Sequence, residues 1–264
     1  MKYMHFRASC SYAALASIME QKGIDTEDFQ IALEMKLPWL FAKEGDSYVS
    51  GPMLQGATWF DLWLLPRGYR MIEKTLPRAR LCSFLRDHPS VMLGVQTAFG
   101  KHAVVFTGYD GAYHFLSPTY ENSGEPAEFA LEEPALLSAV SEETMVGEVQ
   151  PAAAEPQNLV PLLRRSVTVL LENCEELIRF ASEKHDPDAY APAMNRLFRP
   201  LLLDGITMLE LAGETVLAQE FTALQGQFLS FLRGTREEPL REALSLNRLQ
   251  ALAEQYASLI EKQG

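Results

Sequence analysis

Apolar positions along this chain change their period near residue 151. Before it, helical spacing covers residues 10–22 and 26–35, followed by short runs of strand character: YRMIEKT (69–75), SVMLGVQT (90–97), HAVVFTGY (102–109) and AYHFLS (112–117). The segment PAAAEPQN (151–158) reads as a linker. Beyond it Leu159, Leu162, Leu163, Val167, Leu170, Leu171, Leu177 and Ile178 recur at intervals of three and four. Further helices are predicted over 189–213, 214–233 and 238–262. Their punctuation is His185-Asp186-Pro187, Gly213-Glu214-Thr215 and Gly234-Thr235. The pattern predicts an α+β domain with antiparallel strands over residues 1–150. An all-α bundle of about four helices then follows over 157–264.

Composition narrows the function classes. The chain has 264 residues, 47% of them hydrophobic, enough for one large core or two ordinary ones. Its net charge is −12 and no basic run stands out, which argues against nucleic acid and anionic lipid as partners. Cys10, Cys82 and Cys174 are widely spaced, with no CxxC and no Cys/His pairing of the kind that holds a metal. Neither a metal nor a cofactor is therefore expected. No run of eighteen apolar residues is present. The N-terminal apolar stretch is broken by serine and ends at Glu20-Gln21-Lys22, unlike a secretory signal. A cytoplasmic protein without a membrane span is the expectation.

Two residues carry candidate chemistry. Ser11 to Gly23 has the texture of a helix with glycine as its C-terminal cap, which places Cys10 at its first turn, where free N–H groups and the helix dipole favour a thiolate. Farther along, the runs flanking Asp110-Gly111 read as a hairpin with a two-residue turn. That turn sets residue 104 opposite 117 and 102 opposite 119. His102, 104 and 106 then share one face, and His114 takes the other. A cysteine at a helix start and a histidine opening a later strand can act together, the imidazole taking the thiol proton and returning it to a leaving group.

The two stretches Cys10-Ser11-Tyr12-Ala13-Ala14-Leu15 and Lys101-His102-Ala103-Val104-Val105-Phe106-Thr107-Gly108-Tyr109-Asp110 resemble motifs of the papain-like superfamily. The likeness is to bacterial bacteriocin-leader-processing peptidases, which show Cys-Gly-x-Ala-x-Leu and Gly-His followed by Val-Val-x-x-Gly-Tyr-Asp. Residues 9–23, Leu33-Glu34-Met35, Trp39-Leu40-Phe41-Ala42 and Asn195-Arg196-Leu197-Phe198-Arg199-Pro200-Leu201-Leu202 are also similar to the butirosin biosynthesis protein H family. The resemblance implies a papain-like N-terminal domain with Cys10 as nucleophile and His102 as acid and base. It also implies a small acyl or peptide substrate, a carrier-protein thioester among them, and acyl transfer to an amine or hydrolysis.

The chain departs from that pattern in three places. Met4, with His5 beside it, stands where such sites hold an oxyanion-binding glutamine. Ser117 replaces the Asn or Asp that orients the histidine, with Asn122 or Glu121 in the next loop as substitutes, and Ser11 replaces the glycine after the cysteine. His5, Ser11 and Asn122 are thus the oxyanion or substrate-binding candidates. The rival expectation is a papain-fold protein that has lost catalysis and binds a partner through its helical half. That half is expected to pack over the cysteine domain or to support a homodimer. Trp39, Trp59, Trp63, Cys82 and Cys174 read as core.

Overall fold

The computed structural model describes every residue except Met1, Ala8, Ala98, Phe99, Asn122 and Glu125. In chain order the elements begin with α1 (Ser11–Gln21), α2 (Asp28–Glu34), the hairpin β1 (Phe41–Glu44) and β2 (Ser47–Ser50), and α3 (Ala57–Leu64). Next come β3 (Tyr69–Pro77), α4 (Arg78–Asp87), β4 (Val91–Thr97), β5 (Gly100–Tyr109), β6 (Tyr113–Leu116), β7 (Glu128–Leu131), α5 (Glu133–Ala139) and β8 (Glu143–Pro151). Helices α6 (Val160–Ser182), α7 (Tyr190–Ala193), α8 (Gly205–Leu211), α9 (Thr215–Arg233) and α10 (Leu246–Glu261) complete the chain. This is an α+β architecture followed by a helical part.

The chain divides into two compact units. One comprises residues 1–35 and 55–157, the other 36–54 and 158–264. Residues 36–54, read from the sequence with the first domain, belong to the second unit. Their apolar side is covered there: Phe41 and Trp39 meet the Tyr256 ring edge-on at 5.4 and 6.0 Å. The Phe41 N–H donates to Ser166 Oγ at 2.9 Å, and the Tyr256 hydroxyl to the Pro38 carbonyl at 2.5 Å.

In the first unit, six antiparallel strands run in the order β3-β8-β4-β5-β6-β7. One face buries Val91, Leu93, Val95, Val104, Phe106, Phe115 and Val146 under α4 and α5, which supply Leu81, Cys82, Leu85 and Leu136. Strand alternation puts the next row on the opposite face. Register aligns Glu73 with Gly147, Gly147 with Met92, and Gly94 with Ala103. A side chain at Gly147 would come within 2.9 Å of Met71 Sδ, so β8 is glycine where the methionine crosses it.

The β5–β6 hairpin differs from its expected turn. Tyr109 pairs with Tyr113, so Asp110, Gly111 and Ala112 form a three-residue loop, and a bulge lies between Phe106 and Gly108. The extra loop residue and the bulge cancel. Phe106 faces Phe115 and Val105 faces Leu116, in the register that a two-residue turn without a bulge would give.

In the second unit, the stretch expected as one helix over 189–213 is helical but unevenly wound. Between α7 and α8 the segments Met194–Phe198 and Pro200–Asp204 have π-helical hydrogen bonding. Pro200 has no N–H to give a carbonyl four residues back, and a widened turn accommodates that loss. A side chain at Gly205 would crowd the Pro200 carbonyl oxygen at 3.0 Å.

Candidate active site

Cys10 is the residue from which α1 starts, and its carbonyl accepts the Ala14 N–H at 3.0 Å. The segment before it is tied down at several points. Lys2 is paired with Glu20, Asp25 and Glu27, the Met4 N–H donates to the Thr119 carbonyl at 2.9 Å, and the Tyr120 hydroxyl to the Phe6 carbonyl at 3.2 Å. These bonds fix where the thiol lies. It accepts the Ala103 backbone N–H at 3.0 Å, so α1 meets the sheet at β5 through the sulfur itself. Burial pushes the thiol pKa upward, against the Ala103 amide and the cysteine's own amide, which favour the thiolate.

Cys10 borders a cavity of about 710 Å³ whose walls all belong to the first unit. Its floor is the sheet face opposite the α4–α5 core. Met4, Met71, Met92 and Met145 make an apolar, adaptable lining, while Arg7, Lys101, Glu73 and Glu143 bring both signs of charge. None of these four charged groups is in an ion pair with another described residue.

His102 borders the same cavity. In the register it lies opposite Val95, on the row of Val104 and Phe106, while Lys101 and Ala103 take the cavity floor. Its Nδ1 is buried with no hydrogen-bond partner, and Nε2 bonds no described residue. No hydrogen bond joins either nitrogen to the Cys10 sulfur. The structure therefore brings Cys10 and His102 to the border of one cavity, the thiol resting on the amide of Ala103, the next residue of β5, without a hydrogen bond between thiol and imidazole.

The remaining candidates disperse. Ser117 is buried just past β6, where its N–H donates to the Ala127 carbonyl at 2.8 Å; its hydroxyl makes no bond to His102, and it does not border the cavity. His5 lies outside the cavity, its Nδ1 2.6 Å from Asp28 Oδ1 and its N–H donating to Oδ2 at 2.8 Å. Met4 borders the cavity but has no donor to offer. Ser11 does line it, through a hydroxyl engaged with Ser9 at 2.6 Å and with the Gln55 carboxamide. Asn122 lies outside the described residues. His114 is bonded to Asp110 at 2.7 Å in the hairpin loop.

Gln55 is the residue that sequence reasoning missed. It borders the cavity just before α3, 45 positions after Cys10, and no local motif marks it. Among the described residues no group of three or more His, Cys, Asp or Glu is placed to hold a metal, and no helix is long and apolar enough to cross a membrane. No protein-family model matches the chain, and no curated protein matches it.

Proposed function

We propose that the chain carries out thiol-dependent acyl chemistry, with Cys10 as nucleophile and His102 as the base that takes its proton. The observation that carries this reading is the thiol at the start of α1, held by the Ala103 amide in an open cavity that the preceding residue, His102, also borders. Burial raises the thiol pKa, so the reading assigns His102 the task of taking the proton as the sulfur attacks. The product is a thioester on Cys10, discharged to water or to an amine. The papain-like identity of the first unit, suggested by the motifs around Cys10 and His102, belongs to the same proposal. So does a small acyl or peptide substrate.

A second reading is a papain-fold binding protein that keeps the cavity without the chemistry. The unpartnered, buried Nδ1 and the absence of an orienting side chain at Ser117 favour it. One experiment separates the two. Wild-type protein and His102→Ala are treated with p-nitrophenyl acetate, and acyl-Cys10 is followed by peptide mass. Catalysis predicts acylation of Cys10 that slows about a hundredfold or more without the imidazole. Equal rates in the two proteins would sink the role of His102, and no acyl-Cys10 at all would leave the binding reading.

A further inference from the structure

Three polar side chains beside Cys10 form a continuous set of hydrogen bonds. The Ser11 N–H donates to Ser9 Oγ at 3.3 Å, and the two hydroxyl oxygens are 2.6 Å apart. Both hydroxyl oxygens lie within hydrogen-bond reach of Gln55 Oε1, Ser9 at 3.3 Å and Ser11 more closely. Ser9 and Ser11 are 6% and 5% exposed, so water competes little for their donors. Gln55 is exposed and borders the cavity. Each hydroxyl has a single proton, so Ser9 donates to Ser11 and Ser11 donates to Oε1, a relay that orients the carboxamide. It leaves the Gln55 Nε2, with two N–H groups, making no hydrogen bond to any described residue.

We propose that Gln55 is a catalytic residue: its carboxamide donates to the oxyanion formed when Cys10 attacks an acyl carbonyl, and Ser9 and Ser11 are positioning residues that aim it. The proposal rests on the acyl-transfer reading above. In the step concerned, an Sγ–C bond forms and the thiol proton passes to His102, while the carbonyl π pair moves onto oxygen. That oxygen, now negative, receives an N–H of Gln55. Collapse re-forms the carbonyl, breaks the bond to the leaving group and hands it the proton from His102, leaving the thioester. No redox partner or further reactant is involved. A neutral donor suits this role, because it stabilises charge when that charge appears and, unlike a cation, does not hold a stray anion in the oxyanion's place beforehand.

The test compares two reactions of the same sulfur. Acylation by p-nitrophenyl acetate passes through an oxyanion, whereas alkylation by iodoacetamide at Cys10 does not. Gln55→Ala is expected to slow acylation about a hundredfold while leaving alkylation within about twofold. Gln55→Glu keeps the shape and places a negative charge at the donor, so it is expected to slow acylation at least as much. Replacing both Ser9 and Ser11 with Ala is expected to slow acylation about tenfold in the wild-type background and not at all in Gln55→Ala, since the serines act through the glutamine. Wild-type acylation rates in Gln55→Ala overturn the proposal, as does an equal loss in acylation and alkylation. Wild-type protein acylated no faster than Cys10→Ser overturns the acyl-transfer reading and Gln55 with it, an outcome distinct from failure of Gln55 alone.

Discussion

Asp204 makes the second unit's stability fall as pH rises through the weakly acidic range. Its carboxyl is 3% exposed at the end of the π-helical stretch, with Arg199 Nε at 3.5 Å. Burial raises its pKa from 3.8 to about 6, and the guanidinium only partly opposes that rise. A group whose folded pKa is raised adds stability that is complete below the unfolded value and is lost as pH climbs through the folded one. The window is therefore about pH 4 to pH 6. At about 1.4 kcal/mol per tenfold change in proton affinity, the loss across it is about 3 kcal/mol. Urea unfolding of the wild type and Asp204→Asn at pH 4, 5, 6 and 7.5 measures this directly. The difference in unfolding free energy between the two proteins should change by about 3 kcal/mol between the ends of the series, in favour of the variant at high pH. A difference that stays flat with pH would refute the argument, because no other substitution separates the two chains.

Other expectations follow from packing and exposure. Cys10→Ser should leave the melting temperature within a few degrees of wild type, since the hydroxyl can accept the Ala103 N–H and the site is open; a fall of about 10 °C or more would mark Cys10 as core. Above pH 9 iodoacetamide should label Cys10 well before Cys174, whose thiol is pushed up to about 12 by burial, with rates read by peptide mass. Gly147→Ala should cost about 1–3 kcal/mol in urea unfolding, because the new methyl on β8 meets Met71 Sδ at 2.9 Å. Gly226→Ala, at an exposed position of α9 with open space around it, should instead stabilise by about 1 kcal/mol. Opposite signs from two identical substitutions would be read in one assay.

What the sequence discloses depends on how local the cause is. Strand β4 at its start and β5 at its centre bury three consecutive residues, so Val91-Met92-Leu93 and Val104-Val105-Phe106 stand out as apolar runs. Strand β8 lies between β3 and β4, yet Glu143, Gly147 and Glu148 break its apolar run; glycine there answers to Met71, a residue 76 positions away. Helix α6 shows a clean period because one stripe, including Leu163, Leu170 and Leu177, is buried throughout. The π-helical winding near Pro200 leaves no such mark, since apolar residues continue through it. The site divides in the same manner. Cys10 and His102 are visible because each sits in a short motif tied to one element. Gln55 is not, because its relation to Ser9 and Ser11 exists only once α1 and the start of α3 are brought together. The β5–β6 register came out as expected at Phe106 and Val105 for a reason the sequence hid, a bulge and a longer loop of equal and opposite effect.

The placement of residues 36–54 also bears on synthesis. As the chain leaves the ribosome, the first 157 residues hold all of one unit and a fragment of the other. Until α6 and α10 emerge, Trp39 and Phe41 have no Tyr256 to meet and the Phe41 amide has no Ser166. For that interval the β1–β2 hairpin lacks the apolar partners that cover it in the folded second unit. Completion of that packing therefore waits on residues more than a hundred positions farther along the chain.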